Sequence, residues 1–134
     1  MLLFDFDGER FADAHAQRYH EMNAREFYHG TLSGAPVRGR CALRLEKVAL
    51  ASMSIMSMDM RMGSHFRRTA QDIRDHNVDL FVLWSVENGQ FRVSHSDGTR
   101  STAAGEMTLV SSREPMMIES IVDPSGVFKS KMAL

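Results

Sequence analysis

The most regular stretch of the chain runs from Met56 to Met62, where methionines at 56, 58, 60 and 62 alternate with Ser57, Asp59 and Arg61. Side chains of a β-strand point to opposite faces in turn, so this order sets four thioethers on one side and three polar groups on the other. A helix would scatter them around its circumference. The stretch is predicted as a half-buried strand. Before it, Leu43 and Leu45 alternate with Arg44 and Glu46, and Val48 and Leu50 follow after a one-residue shift, which predicts a bulge or turn near Lys47. After it, Val78, Leu80, Val82, Trp84 and Val86 share one face of a strand that leads into Asn88-Gly89, read as a type I′ hairpin turn. Gln90 to His95 runs back with Phe91, Val93 and His95 on one face, and Asp97-Gly98 is a second hairpin signal. Short strands follow near Thr99–Thr102, at Met107–Ser111 and at Met116–Val122, separated by turns at Ala104-Gly105-Glu106 and Arg113-Glu114-Pro115 and closed by a turn at Asp123–Gly126. Strands of this length at such spacing predict an all-β sandwich or barrel.

Only the N-terminal part departs from this pattern. Phe11, His15, Tyr19 and Met22 recur at helical spacing with Ala12 and Ala16 beside them, which predicts a short amphipathic helix from Gly8 to about Met22, capped by Asp7. Its expected place is over one end or edge of a sheet. Gly30, Gly34 and Pro36 interrupt the next segment, leaving loops around at most a short strand. With no repeat, linker or low-complexity tract, residues 1–134 are read as one domain, with a helical lead-in over 1–25 and barrel strands over 40–128.

Composition narrows the function. A chain of 134 residues, 43% apolar and 25% charged, has an ordinary globular make-up. A formal net charge of −1 gives no basic field for DNA or an anionic membrane, so any DNA contact belongs to a separate module. Cys41 is the single cysteine, which excludes an internal disulfide and makes a reducing cytoplasm the expected setting. Asp5 and Asp7 break the apolar start of the chain, so it does not read as a signal peptide, and no apolar run is long enough to span a bilayer. The eleven methionines suit irregular packing or contact with varied apolar ligands.

From Arg68 onward the order of features resembles a known family. Arg68-Thr69, the apolar strand Leu80–Trp84, the hairpin into Gly89–Val93, the turn Asp97-Gly98, the corner Ala104-Gly105-Glu106, the strand Met107–Val110 and the segment Arg113–Met116 follow in series. The series resembles the N-terminal ligand-sensing domain of AraC/XylS-type bacterial transcription regulators, and it extends over about residues 10–128. The corner often reads Pro-Gly-Asp in that family; here it is Ala104-Gly105-Glu106, which keeps the acidic residue. The resemblance implies a cupin-like jelly-roll barrel that binds a small-molecule effector, and it allows a homodimer, although pairing in that family often uses helices beyond the barrel. It also implies that DNA is met only through a helix-turn-helix domain not present in this chain. Leu134 falls where the family would be starting a further strand, so the barrel is expected to be cut short at its C-terminus.

Catalytic sets are hard to assemble from these residues. Metal-binding cupins use a His-x-His pair with a Glu and a later His, and no His-x-His occurs here; His15, His20, His65, His76 and His95 are scattered. No cofactor is therefore expected. Cys41 lies among Arg38, Arg40 and Arg44, which would lower its pKa if they were close, but a small apolar strand residue explains it more simply. There is no nucleophile elbow, phosphate-binding loop or dinucleotide fingerprint. The basic cluster Arg61, Arg67, Arg68 and Arg74 suits either an anion or phosphate contact or a solvated strand edge, and the edge is the favoured reading. What remains is the interior. Its candidate lining is Met58, Met60, Trp84, Phe91 and Val93, with polar discrimination from His95 or Arg68. Trp84 stands out because an indole offers a broad flat face and one N–H donor. The main reading is a ligand-sensing or dimerisation module without catalytic activity. Its rivals are a metal-dependent cupin enzyme and a purely structural interaction domain.

Overall fold

A computed structural model describes residues 1–134. Its strands are β1 (Leu2–Gly8), β2 (Thr31–Pro36), β3 (Cys41–Leu50), β4 (Met53–Met60), β5 (Met62–Arg68), β6 (Phe81–Asn88), β7 (Gln90–His95), β8 (Gly98–Ala103), β9 (Met107–Ser111), β10 (Met116–Ile121) and β11 (Phe128–Ala133). Two helices interrupt them, α1 (Asp13–Glu26) and α2 (Ala70–Asp75). The strands form two antiparallel sheets, six-stranded in the order β1-β3-β4-β11-β6-β9 and five-stranded in the order β2-β5-β10-β7-β8. Most connections switch sheets, and only β3-β4 and β7-β8 are hairpins. The result is an all-β jelly roll.

The expected barrel is not closed. β1 and β9 bound one sheet, β2 and β8 the other, and none of them bonds across the gap. The inner faces instead pack on each other as a sandwich around one cluster of 25 buried apolar residues. The methionine stretch shows how the chain achieves this. Met56, Met58, Met60 and Met62 are all buried as predicted, but the chain changes sheets at Arg61, so they lie on two strands rather than one. Alternation survives the corner because the chain turns without losing phase.

Other expectations need correction. β3 runs unbroken to Leu50 in regular register with β4, so there is no bulge at Lys47; Val48 and Leu50 simply face outward. The irregularity sits in β1, between Leu2 and Phe4, opposite Glu46 and Leu45. Asp7 caps no helix: it ends a strand that the alternation of Leu2, Phe4 and Phe6 with Asp5 and Asp7 encodes, and it binds Arg40 through two hydrogen bonds of 3.0 and 2.7 Å. Helix α1 starts later, where the Ala12 N–H donates to His15 Nδ1 at 3.1 Å. Helix α2 starts at a capping box in which Thr69 and Asp72 exchange hydrogen bonds. The short strand allowed for between Gly30 and Pro36 is present as the six-residue β2, and it runs through Gly34 without interruption. Asn88-Gly89 is a corner between sheets and not a hairpin; only Gly89 has positive φ, at 88°. At β7-β8 the turn residues are Ser96 and Asp97, and Gly98 alone has positive φ. The last strand, β11, lies outside the predicted strand range in all but its first residue, Phe128, yet it sits in the middle of the larger sheet, bonded to β4 and β6.

Candidate functional site

Between the two sheets and α1 lies a cavity of about 40 Å³. Both sheets and the helix line it. Met58 and Met60 come from β4, Trp84 from β6 and Met132 from β11; Ser64 and Ser120 face them from β5 and β10. The lid is Tyr19 and Asn23 of α1 with Phe27 and Tyr28, which follow it. Period-2 alternation brings the strand residues inward, and helical spacing brings Tyr19 and Asn23 onto one face.

Every polar group of this lining is uncharged. Ser64 and Ser120 are directly opposed in register, both buried. Burial pushes the Tyr19 phenol above its ordinary range, helped by the nearby Tyr28. Burial also raises Tyr28, to about 12, against the opposing pull of Arg68. Both phenols are therefore neutral O–H groups at any physiological pH. Asn23 Nδ2 donates to the Tyr28 carbonyl at 2.9 Å and so ties the helix to the segment behind it. Trp84 stacks on Phe91, with ring centroids 4.5 Å apart and planes 26° apart. Its Nε1–H is buried and has no hydrogen-bond partner. An unmade bond of this kind costs about 1–3 kcal/mol.

Of the predicted site residues, Met58, Met60 and Trp84 meet at the cavity. Phe91 backs Trp84, and Val93 is buried in the core. His95 lies elsewhere, in a surface depression beside Glu114, with Nδ1 3.6 Å from Oε2. Arg68 is neither at a solvated edge nor among the cavity walls. It is almost fully buried and donates to three backbone carbonyls: Nε to Ser112 at 2.8 Å, Nη1 to His29 at 2.6 Å and Nη2 to His76 at 3.1 Å. The guanidinium also lies 4.8 Å from the Tyr28 ring centroid. Sequence reasoning misses Tyr19, Asn23, Tyr28, Ser64 and Ser120. The helical spacing of Tyr19 is visible in the chain, but the end of the sandwich that α1 covers is not.

A column of imidazoles stands next to Arg68. His20 and His29 are 5.2 Å apart, His29 and His76 stack at 4.4 Å, and His20 Nδ1 lies 2.9 Å from the Gly30 carbonyl. No group of three or more His, Cys, Asp or Glu side chains is placed to hold a metal ion. Burial, then His29 and Arg68, hold His76 below its ordinary pKa of 6.5. The unfolded chain binds that proton more readily, so the stability from neutral His76 is complete above about pH 6.5 and is lost as pH falls through the folded value. Thermal melts at pH 7.5 and 5.5 should therefore show a smaller acid-induced loss for His76→Gln than for the parent chain. Equal losses would refute this assignment.

No family model matches the chain, and no curated protein matches it in sequence. No helix is long and apolar enough to cross a membrane. Among solved structures, the AraC-like transcriptional activator CuxR superposes with a TM-score of 0.68 at 13% identity, over 97% of this chain and 46% of that one. The EutQ protein of Clostridium difficile aligns more loosely, with a TM-score of 0.47 at 9% identity, over 69% of this chain and 67% of that one. The chain thus spans under half the length of CuxR, and across nearly all its residues it has the fold of the matched part of that AraC-like activator.

Proposed function

We propose that this chain is the non-catalytic, ligand-sensing module of an AraC/XylS-type transcription regulator, acting in the cytoplasm and taking a small effector between its sheets. One observation carries the reading: Trp84 lines the cavity with an indole N–H that no protein group satisfies. A ligand acceptor would supply the missing bond, and its flat face would extend the Trp84–Phe91 stack. The fold shared with CuxR supports the regulatory setting. In such a regulator DNA is met through a helix-turn-helix module.

At about 40 Å³ the cavity holds a few waters and no metabolite, so binding has to be coupled to movement. Helix α1 is the element to move. Only Tyr19, Met22 and Asn23 of its fourteen residues are buried, and two of those are cavity walls. An effector that binds better with α1 displaced shifts the population toward that state, and this is the signal passed on.

Trp84 is the only tryptophan, so its fluorescence reports the site directly. Titration with a panel of small metabolites should find a ligand that changes this emission and raises the melting temperature. In Trp84→Phe the same ligand should bind about tenfold more weakly by calorimetry, the equivalent of about 1.4 kcal/mol for one lost hydrogen bond. A panel without any stabilising ligand, or an affinity unchanged in Trp84→Phe, would refute the reading.

A further inference from the structure

The outward face of the six-stranded sheet is divided in two. In register across five adjacent strands lie Val48, Ile55, Ala133, Leu83 and Leu109, each the direct partner of the next. Leu50 and Met53 pair on one side of this row, Phe81 flanks it on the same side, and Met107 adjoins it on the other. Beyond, the face turns ionic: Arg44 pairs with Glu46 and Asp5, Lys129 with Asp59, and Lys131 with Glu87. The division is not a scatter of surface leucines. Of the ten large apolar residues exposed on the whole molecule, seven lie in this half-face.

We infer that this half-face is the contact between two copies of the chain. Its seven large residues are 40–65% exposed. At roughly half exposure they present on the order of 600 Å² of apolar surface, at the upper end of what a monomer carries. Covered by a small or polar partner, that area falls short of a stable interface. Covered by its own copy it is buried twice, and on the order of 1,200 Å² is where specific interfaces begin. Charge agrees with this occupant. The net charge is −1 and the ionic half of the face is paired within itself, so a second copy meets no repulsion, while a nucleic acid or a strongly charged protein finds no complement. Shape agrees as well. Five strands make a surface about 20 Å wide that packs on its copy as sheets pack in a sandwich. Pairing through this face does not depend on the effector.

Sedimentation velocity on the 134-residue chain tests it. The parent chain should pass from monomer to dimer in the micromolar range. Leu83→Lys with Leu109→Lys should raise the dimer dissociation constant at least 30-fold, and at concentrations where the parent chain is monomeric it should leave the melting temperature unchanged, since both side chains of the monomer face water. Ser57→Lys, in the ionic half, should leave it unchanged. If the double variant folds poorly, Val48→Lys at the far end of the row carries the same expectation. A parent chain monomeric at several hundred micromolar, or a dimer that persists in the folded Lys variants, would overturn the assignment.

Discussion

Arg68→Met is expected to lower the unfolding free energy by about 3–5 kcal/mol, a large share of what a domain of this size has. The guanidinium is the common partner of three carbonyls from segments distant in the chain: His29 between α1 and β2, His76 after α2 and Ser112 after β9. Methionine fills much of the volume but leaves those acceptors buried without a donor, at about 1–3 kcal/mol each before relaxation. The contact over Tyr28 is lost as well, worth about 1 kcal/mol. Arg68→Lys should recover only part of the loss, because a single ammonium cannot present a planar fork to acceptors in three directions. Urea unfolding measures both variants. A loss under about 1 kcal/mol for the methionine variant would show that water takes over the three bonds. Ser112 is part of the same junction: its hydroxyl donates to the Val78 carbonyl and accepts from the Leu80 N–H at 2.9 Å. The clamp thus holds together the segment that precedes β6, the residue that follows β9 and the far end of the cavity lid.

That role shows where sequence reasoning stops. Arg68 can be singled out from its place in an ordered series, but an arginine in a polar stretch reads as surface. Nothing local reveals three carbonyls that arrive from positions 29, 76 and 112. Facing is the legible quantity. The inward placement of Leu43, Met56, Met58, Met60, Trp84, Val86, Phe91 and Val93 follows from period 2 alone, because each face is defined by one residue and its neighbours two away. Pairing is not legible in this way. Met60 and Met62 continue one alternation while lying in different sheets, so the corner at Arg61 leaves no mark on the pattern. β11 escapes the pattern because Phe128, Ser130 and Met132 make an alternation with a serine at its centre, and that serine faces the core. At the site, Trp84 and the methionines are legible as inward and apolar. Ser64 and Ser120 are not, since a strand serine is read as outward until the opposite face is known.

A large steric effect against backbone is expected at Gly89, where alanine should cost about 3–5 kcal/mol. Two requirements coincide there. The backbone has φ of 88°, which costs a residue with a Cβ about 1–2 kcal/mol. A Cβ at this position would also stand 2.4 Å from the Ile121 carbonyl oxygen, 3.1 Å from Phe128 Cδ2 and 3.3 Å from the Val127 carbonyl oxygen. Two of these atoms belong to backbone that connects β10 to the central strand β11, so relief requires that connection to move. Gly105 separates the two causes. Its φ is 87°, nearly the same, but a methyl added there would meet nothing within 4 Å, so Gly105→Ala should lose only the conformational part, about 1–2 kcal/mol. Equal losses in urea would mean that the chain yields around Gly89 at no cost. A loss confined to Gly89 would place the strain at the crossing between sheets, the point where the Asn88-Gly89 pair stops being a hairpin. The dipeptide meets either need because both ask for positive φ at the glycine; the carbonyl pressed against Gly89, and the absence of positive φ at Asn88, tell the corner from the turn.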